Sequence, residues 1–413
     1  MYLYFLLIRI AALFGHRKAR LLVRGQTETR KAIKDQIFHF PSPIWIHAAS
    51  VGEFEQARPL IERLRRERPQ QKIVLTFFSP SGYELRKDYA QVDAVYYLPF
   101  ATRRNAKRFL EALQPSMAIF VKYEFWPAYL RELKKRAIPT YSISAIFRPK
   151  QIFFSAWGKS QLKALRCFTQ IFVQDEASRR LLAEHGIHNA SVAGDTRFDR
   201  VGEIKQSGHR LPLVEQFVEN TPRIIIAGST WPEDEVLLEK YISDLSLVNG
   251  DLSTKLILVP HEINKEHLHY IFQLFKGRFV RYSDLETMKD VTSRYNILQR
   301  ADVLIVDKLG LLSSLYAYGQ AAYIGGGFGV GIHNTIEAAV YGLPVVFGPN
   351  YTHFREAQGL IDAGAARSIK NYSELEAALT TALNEHENIG AKAAEYVQAE
   401  VGATDCIFKE IFK

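Results

Sequence analysis

Short apolar runs rich in β-branched residues alternate along the chain with stretches whose apolar positions recur at helical spacing. Runs of the first kind suit parallel strands buried on both faces, and stretches of the second suit the helices that cover them, so the alternation predicts an α/β protein built on parallel sheets. In the first half the predicted strands are Ile44–Ala49, Lys72–Phe78, Ala94–Leu98, Met117–Val121, Thr140–Ser144, Ile171–Val173 and Ala190–Ala193. In the second they are Arg223–Ala227, Lys255–Val259, Val303–Val306, Ala322–Ile324 and Pro344–Phe347. Between the two sets, Val201–Pro212 (VGEIKQSGHRLP) is polar and lacks a strong period, which marks it as the expected linker. The halves open alike. Pro43 to Leu64 and Pro222 to Tyr241 each read as a buried strand, a loop of small residues with a serine, an acidic helix start and an amphipathic helix.

A length of 413 residues suits two domains better than one core. Hydrophobic residues at 47% and charged residues at 23% are those of a globular protein, which argues against long disorder. Cys167 and Cys406 are the only cysteines and form no CxxC pair, so neither a disulfide framework nor a zinc site is suggested, in keeping with a reducing cytoplasm. The net charge of +9 conceals an asymmetry: residues 1–200 hold 34 Lys and Arg against 17 Asp and Glu, and the remainder holds 19 against 27. Basic runs usually mark solvated helix faces. A basic half joined to an acidic half points further, to a phosphorylated substrate or an anionic membrane surface met by the first half.

The N-terminus supports the membrane. Met1 to Phe14 is almost wholly apolar and aromatic, and His16, Arg17, Lys18, Arg20 and Arg24 follow at once. The run is shorter than the roughly 20 residues of a spanning helix, and it contains Arg9. It lacks the charge order and cleavage site of a secretory signal. An interfacial helix or weak anchor is expected, with an amphipathic helix packed on the domain as the plainer alternative.

Ala321 to Pro349 (AAYIGGGFGVGIHNTIEAAVYGLPVVFGP) orders an apolar strand, a glycine-rich loop, a short helix carrying Glu337 and a second strand. Glycines let backbone N–H groups approach a phosphate, a helix start favours negative charge, and a carboxylate one turn in can accept from a ribose diol. A tight strand-to-helix turn in an ordinary α/β domain fits the glycines equally well. Several familiar signatures fail. WGKS at Trp157–Ser160 lacks the P-loop's first glycine, and His261-Glu262 has Lys265 where a zinc protease needs histidine. Ser50 lacks the glycine of a nucleophile elbow, and no G-x-G-x-x-G threads Gly325–Gly331, which disfavours a dinucleotide-binding dehydrogenase. Glu53 stands just after the first strand, at the start of a helix whose dipole keeps a carboxylate ionised, as a general base must be. On spacing alone a dipole partner is the commoner reading.

HAASVGE (His47–Glu53), EFWP (Glu124–Pro127), GSTWPEDE (Gly228–Glu235), GGGF (Gly325–Phe328) and HNTIEAAVYGLPVVFGP (His333–Pro349), in that order, closely resemble the Kdo transferases of Gram-negative bacteria. These enzymes move 3-deoxy-D-manno-octulosonic acid (Kdo) from CMP-Kdo to a lipid A precursor. The resemblance covers nearly the whole chain and implies a GT-B glycosyltransferase fold: two Rossmann-like domains whose parallel sheets face across a cleft. The expected division is 1–24 as a membrane-associating segment, 25–204 as the acceptor domain, and 205–413 as the CMP-Kdo domain with a final helix crossing back.

The family is inverting, which implies one base at the acceptor hydroxyl. Glu53 matches it, Glu124 matches a second acidic position, and Ser50, Gly52 and Arg148 fall to the acceptor side, Arg148 only loosely. For the nucleotide sugar the resemblance implies Gly228, Ser229, Thr230, Pro260, His261, Lys308, Gly310, Gly326, Gly327, Asn334 and Glu337. Many members carry proline-arginine-histidine where this chain reads Pro260-His261-Glu262, and Lys308 is expected to supply the missing positive charge. CMP is a good leaving group, and no carboxylate cluster suggests a metal, so no cofactor or metal is expected. The expected partners are CMP-Kdo, a lipid A precursor and the anionic inner-membrane surface on its cytoplasmic face, with no nucleic acid. Two other readings stay open: a GT-B enzyme using a UDP-sugar, transferase or epimerase, and a non-catalytic GT-B-like protein that binds nucleotide or lipid.

Overall fold

A computed structural model describes residues 2–34, 40–155, 158–206, 208, 210–249 and 254–413; Trp157 of the WGKS segment lies outside the described residues. The first seven strands are β1 (Ile44–His47), β2 (Ile73–Phe77), β3 (Ala94–Tyr97), β4 (Met117–Val121), β5 (Thr140–Ala145), β6 (Gln170–Val173) and β7 (Ala190–Val192). They form one parallel sheet in the order β3-β2-β1-β4-β5-β6-β7. The next seven are β8 (Arg223–Thr230), β9 (Thr254–Pro260), β10 (Phe279–Arg281), β11 (Val303–Ile305), β12 (Ala321–Ile324), β13 (Val345–Phe347) and β14 (Ala366–Ser368). Their order is β10-β11-β9-β8-β12-β13-β14, again all parallel.

Two of these strands are absent from the sequence reading, and both are edges of the second sheet. β10 (FVR) and β14 (ARS) are three residues long and no more than half-buried, so neither leaves an apolar run to detect. The central strands need no such excuse: every residue of β1 (IWIH) and β9 (TKLILVP) is buried, as strands covered on both faces must be.

The chain divides into a unit of residues 1–200 with 401–413 and a unit of residues 201–400. The expected linker is helical at its start. Helix Arg197–Gln206 runs through the boundary at Arg200, because Phe198 and Val201 are buried and give the polar segment an apolar anchor. In the first unit Trp45 is fully buried among Phe109, Phe120 and Tyr129, with ring centroids 5.1, 5.1 and 5.6 Å away. Its indole N–H donates to Thr76 Oγ1 at 2.8 Å, so the largest side chain of this core carries no unpaired polar atom.

The N-terminus is a pair of helices, Tyr2–Leu13 and Arg17–Lys34, the second of which continues past residue 24, where the sequence reading ends its membrane segment. Phe5 is buried and stacks on Phe100 at 4.2 Å, whereas Leu6, Leu7, Ile10, Leu13 and Phe14 are exposed. No helix among the described residues is long and apolar enough to cross a membrane. Gly25 lets the second helix touch the sheet: a Cβ there would lie 2.1 Å from the Tyr97 ring of β3. Next to it, buried Gln26 donates to the Leu98 carbonyl at 2.6 Å and accepts from the Phe100 N–H at 2.9 Å. The final helix, Ala403–Ile411, buries Ile407 and Phe408 in the first unit's second core, and Asp405 pairs with Arg63 at 2.8 Å.

Candidate functional site

In both sheets the chain builds outward in one direction from the central strand and then returns to that strand's other side. The return strand is β4 beside β1 in the first sheet and β12 beside β8 in the second. At such a switch point the loops leaving the carboxyl ends of two neighbouring strands diverge and open a crevice for ligands. The sequence motifs sit there. Ser50–Glu53 follows β1 and Glu124 follows β4, while Gly228–Thr230 ends β8 and Gly325–Phe328 follows β12.

In the first unit Glu53 lies in the first turn of helix Val51–Glu67, with Ser50 as the extended residue before it. The Ser50 hydroxyl caps no backbone N–H; it donates to the Glu53 carboxylate. Glu53 is half-buried and in no ion pair among the described residues. Gly52 beside it is exposed, and a Cβ there would have only Ser50 Oγ nearby, at 3.8 Å, so nothing inside the protein demands glycine. Glu124 is held more firmly. Its Oε2 accepts from Trp126 Nε1 at 2.7 Å and lies 3.3 Å from His47 Nε2. His47 is fully buried, with Nδ1 2.9 Å from Thr76 Oγ1. Nδ1 also lies 3.0 Å from the Thr76 carbonyl, and the Trp126 indole N–H lies 3.2 Å from Nε2, so the ring is held on both sides. Arg148 follows β5, the next strand along, and donates to the Tyr123 hydroxyl at 3.2 Å.

The second unit treats its acids differently. Asp234 and Glu235, in the first turn of helix Pro232–Asn249, are both fully buried. Asp234 accepts from the N–H groups of Trp231 and Gly326, at 2.9 and 2.8 Å, and from the Tyr323 hydroxyl at 2.7 Å. Glu235 accepts from the Thr230 hydroxyl at 2.8 Å and faces His267 Nε2 at 3.0 Å. Burial pushes both carboxyls above their ordinary values, against the pull of these donors. His267 Nδ1 faces the Glu262 carbonyl at 3.0 Å, so both ring nitrogens are engaged.

These bonds redirect several expected contacts. The Gly326 N–H, expected at a phosphate, is taken by Asp234, and the Thr230 hydroxyl is taken by Glu235. Gly327 packs on Gly348, where a Cβ would come within 2.5 Å of the Gly348 Cα, and a Cβ on Gly228 would come within 2.3 Å of the Tyr316 hydroxyl. Close packing of loop on loop therefore accounts for these glycines. The Lys308 ammonium pairs with Glu286 at 2.7 Å, so its charge is already matched. Gly310 has a φ of +86° and open space around it. Pro260 closes β9, and the His261 N–H donates to the Thr230 carbonyl at 3.0 Å.

What remains available is specific. Ser229 adopts a φ of +55° at a bulge between β8 and β9, and its hydroxyl makes no hydrogen bond among the described residues. A non-glycine residue held in the left-handed region costs on the order of 1 kcal/mol and is commonest where function requires it. The helix after the glycine loop is a single turn, Ile336–Ala339. Glu337 accepts from Asn334 Nδ2 and Ser313 Oγ, each at 2.8 Å. Asn334 Oδ1 and Thr335 Oγ1 are buried with no hydrogen-bond partner among the described residues, a deficit that a bound polar ligand would remove.

Above them lies a stack the sequence does not announce. The exposed His261 ring lies near-parallel to Trp231, with centroids 5.0 Å apart, and to His333, with centroids 4.3 Å apart. Burial, and then the neighbouring His261, lower His333 to about 4, so near neutrality it is an uncharged ring whose Nε2 accepts from Trp231 Nε1 at 3.3 Å. Among the described residues there is no cluster of three or more potential metal ligands.

Comparison with known proteins gives this arrangement its place. Residues 15–200 match the family model described as 3-deoxy-D-manno-octulosonic-acid transferase (kdotransferase). The 3-deoxy-D-manno-octulosonic acid transferase of Aquifex aeolicus is 29% identical over 363 residues, 86% of this chain and 90% of that protein. The enzyme of the same name from Rickettsia felis is 28% identical over 85% of this chain and 74% of its own length. Among solved structures, the UDP-GlcNAc 2-epimerase of Neisseria meningitidis, bound to UDP-GlcNAc, superposes with a TM-score of 0.63 at 16% identity, covering 89% of this chain and 99% of that one. That likeness is one of fold, and the fold is GT-B. By the family model over residues 15–200 and the relatives over most of its length, the chain is similar to the 3-deoxy-D-manno-octulosonic acid transferases.

Proposed function

We propose that this chain is a Kdo transferase that moves Kdo from CMP-Kdo to a lipid A precursor at the cytoplasmic face of the inner membrane, with inversion and with Glu53 as the general base. The observation that carries the reading is the contrast among its acids. Asp234 and Glu235 are fully buried in bonds to the protein, whereas Glu53 is half-exposed and oriented by a single hydroxyl, beside a glycine that the protein itself does not require. Glu53 takes the proton of the acceptor hydroxyl as that oxygen bonds to the anomeric carbon of Kdo. The bond from that carbon to the phosphate oxygen breaks, its electron pair leaves with CMP, and the proton ends on Glu53. Glu124, fixed by Trp126 and His47, positions the acceptor, with Ser50, Gly52 and Arg148 lining its side.

On the donor side the unpartnered Asn334 Oδ1 and Thr335 Oγ1, together with Ser229, support a nucleotide site that also uses Glu337 at the ribose. His261 lies at the position where many relatives carry arginine, and Lys308 can contribute only by leaving Glu286. CMP-Kdo is a substrate, and the chemistry calls for no cofactor. Exposed Leu6, Leu7, Ile10, Leu13 and Phe14, followed by the basic helix Arg17–Lys34, support membrane association.

Mass spectrometry of the product from purified protein, CMP-Kdo and a tetra-acylated lipid A precursor tests the reaction: an acceptor heavier by one or more Kdo is expected, and an unmodified acceptor refutes it. The fold shared with UDP-GlcNAc 2-epimerases favours one rival, a UDP-sugar enzyme. Protection against heat or protease by CMP but not UDP is expected, and the reverse selectivity sinks the CMP-Kdo reading.

A further inference from the structure

The first unit contains a cavity of about 1070 Å³ that lies apart from the loops carrying Glu53 and Glu124. Its walls come from the C-terminal end of helix Arg17–Lys34, from Pro99 just after edge strand β3, and from helix Arg103–Leu113. Four cations line it: Arg30, Lys34, Arg104 and Arg108. None of the four is in an ion pair among the described residues. The single acid in the wall, Glu111, is already approached by Lys107 at 3.7 Å and Arg136 at 3.5 Å.

Like charges gathered around one space repel unless an anion enters it. Burial, and then the like charge of Arg9 from outside the cavity wall, hold the Arg30 guanidinium below its ordinary value. Arg9 belongs to helix Tyr2–Leu13, so that helix brings a fifth cation towards the same place. The helix is fixed there by Phe5, which stacks on Phe100, the residue after cavity-lining Pro99. Its Leu6, Leu7 and Ile10 are exposed. The helix does not line the cavity but approaches it through Phe5 and Arg9, with its exposed apolar face on the same unit.

We propose that this cavity binds the phosphate headgroup of an anionic membrane lipid, whose acyl chains lie along the exposed face of helix Tyr2–Leu13. A free phosphate would satisfy the cations and leave the apolar face unused; an amphiphile satisfies both. At about 1070 Å³ the space is ample for a phosphate with its glycerol or sugar. Arg104 and Arg108 are one helical turn apart and present two guanidinium forks to phosphate oxygens. This site deepens the membrane part of the proposed function, and it is separate from the transfer chemistry.

The test is co-sedimentation of the full chain with phosphatidylcholine vesicles, plain or containing phosphatidic acid, at fixed ionic strength. Binding to the anionic vesicles is expected to fall at least about tenfold in an Arg104→Ala, Arg108→Ala double variant. The same loss of charge in the second unit, Lys276→Ala with Lys392→Ala, should change it by less than about twofold. Both arginines are exposed, so an unchanged melting temperature should accompany the loss. Equal effects from the two double variants would mean diffuse attraction and overturn the site, as would unchanged vesicle binding. Heat stabilisation by millimolar inorganic phosphate that depends on Arg104 and Arg108, without any effect on vesicle binding, would assign the cavity to a free anion and overturn the lipid headgroup. Failure of Kdo transfer beside Arg104-dependent and Arg108-dependent vesicle binding would refute the transfer reading alone. Normal transfer with vesicle binding indifferent to both arginines would refute this one alone.

Discussion

The two units answer the same structural question in opposite ways. Each has a central strand, β1 or β8, followed by a loop of small residues with a serine and by a helix with acids in its first turn. In the first unit the acid is Glu53, half-buried and bonded to one hydroxyl. In the second Glu233 faces solvent, while Asp234 and Glu235 are fully buried and supplied with donors from Trp231, Gly326, Tyr323, Thr230 and His267. The same position in the fold is thus used for a carboxylate that can exchange a proton with something outside and for carboxylates that tie loops together. A buried acid with both oxygens engaged is architecture, because moving its proton would disrupt the bonds that hold the loops.

The sharpest break in this comparison would come from substituting the exposed acid. Glu53→Gln should lower the rate of Kdo transfer by at least about a thousandfold while thermal unfolding stays within a degree or two, measured by product mass spectrometry and calorimetry. Retained turnover would remove Glu53 as base. Asp234→Ala should do the converse. It strands two backbone N–H groups and the Tyr323 hydroxyl in a buried space, and should cost about 3 kcal/mol in urea unfolding. A loss under about 1 kcal/mol would mean that these bonds are replaceable.

Smaller effects sharpen the contrast. His333 is lowered to about 4 by burial, so its folded-state value lies below that of the unfolded chain. The unfolded chain then takes up a proton first as pH falls, and the stabilisation present above about pH 6.5 is lost on the way down to pH 4. Between pH 7 and pH 5 the loss from this group should be roughly 1 kcal/mol after allowance for its partial exposure, and His333→Gln should remove that part of the pH slope. The subtlest test is Gly52→Ala. Nothing internal obstructs the new methyl group, and replacing a helical glycine should stabilise the fold by about 0.5 kcal/mol. If the space above Gly52 belongs to the acceptor, the KM for acceptor should nevertheless rise; an unchanged value would free that space of any role.

The sequence disclosed what depends on neighbours in the chain. Buried runs such as IWIH and the loops after β1, β8 and β12 were legible because strand burial and turn chemistry are local. β10 and β14 were not, because an edge strand needs only a partner and carries no apolar signature. The motif GSTWPEDE was legible as a site, but its acids were not legible as structural. Their burial depends on His267, 32 residues from Glu235, and on Tyr323, 89 residues from Asp234. For the same reason the close packing of Gly228 on Tyr316 and of Gly327 on Gly348 could not be read from the glycine-rich segments themselves. The stack of Trp231, His261 and His333 combines three separate segments, and no spacing within any one of them foretells it.

One feature of the N-terminal helices bears on how the protein can be handled. Gly25 against Tyr97, and Gln26 bonded on both sides of Pro99, bind helix Arg17–Lys34 to the edge strand it covers. A shortened chain made for soluble expression that begins after residue 34 would uncover that edge and its aromatic rings, and should aggregate. A cut near Gly15 removes the exposed apolar helix and spares this clasp, at the lesser cost of baring Phe100. The place to trim is therefore set by a glycine that lies beyond the apolar segment itself.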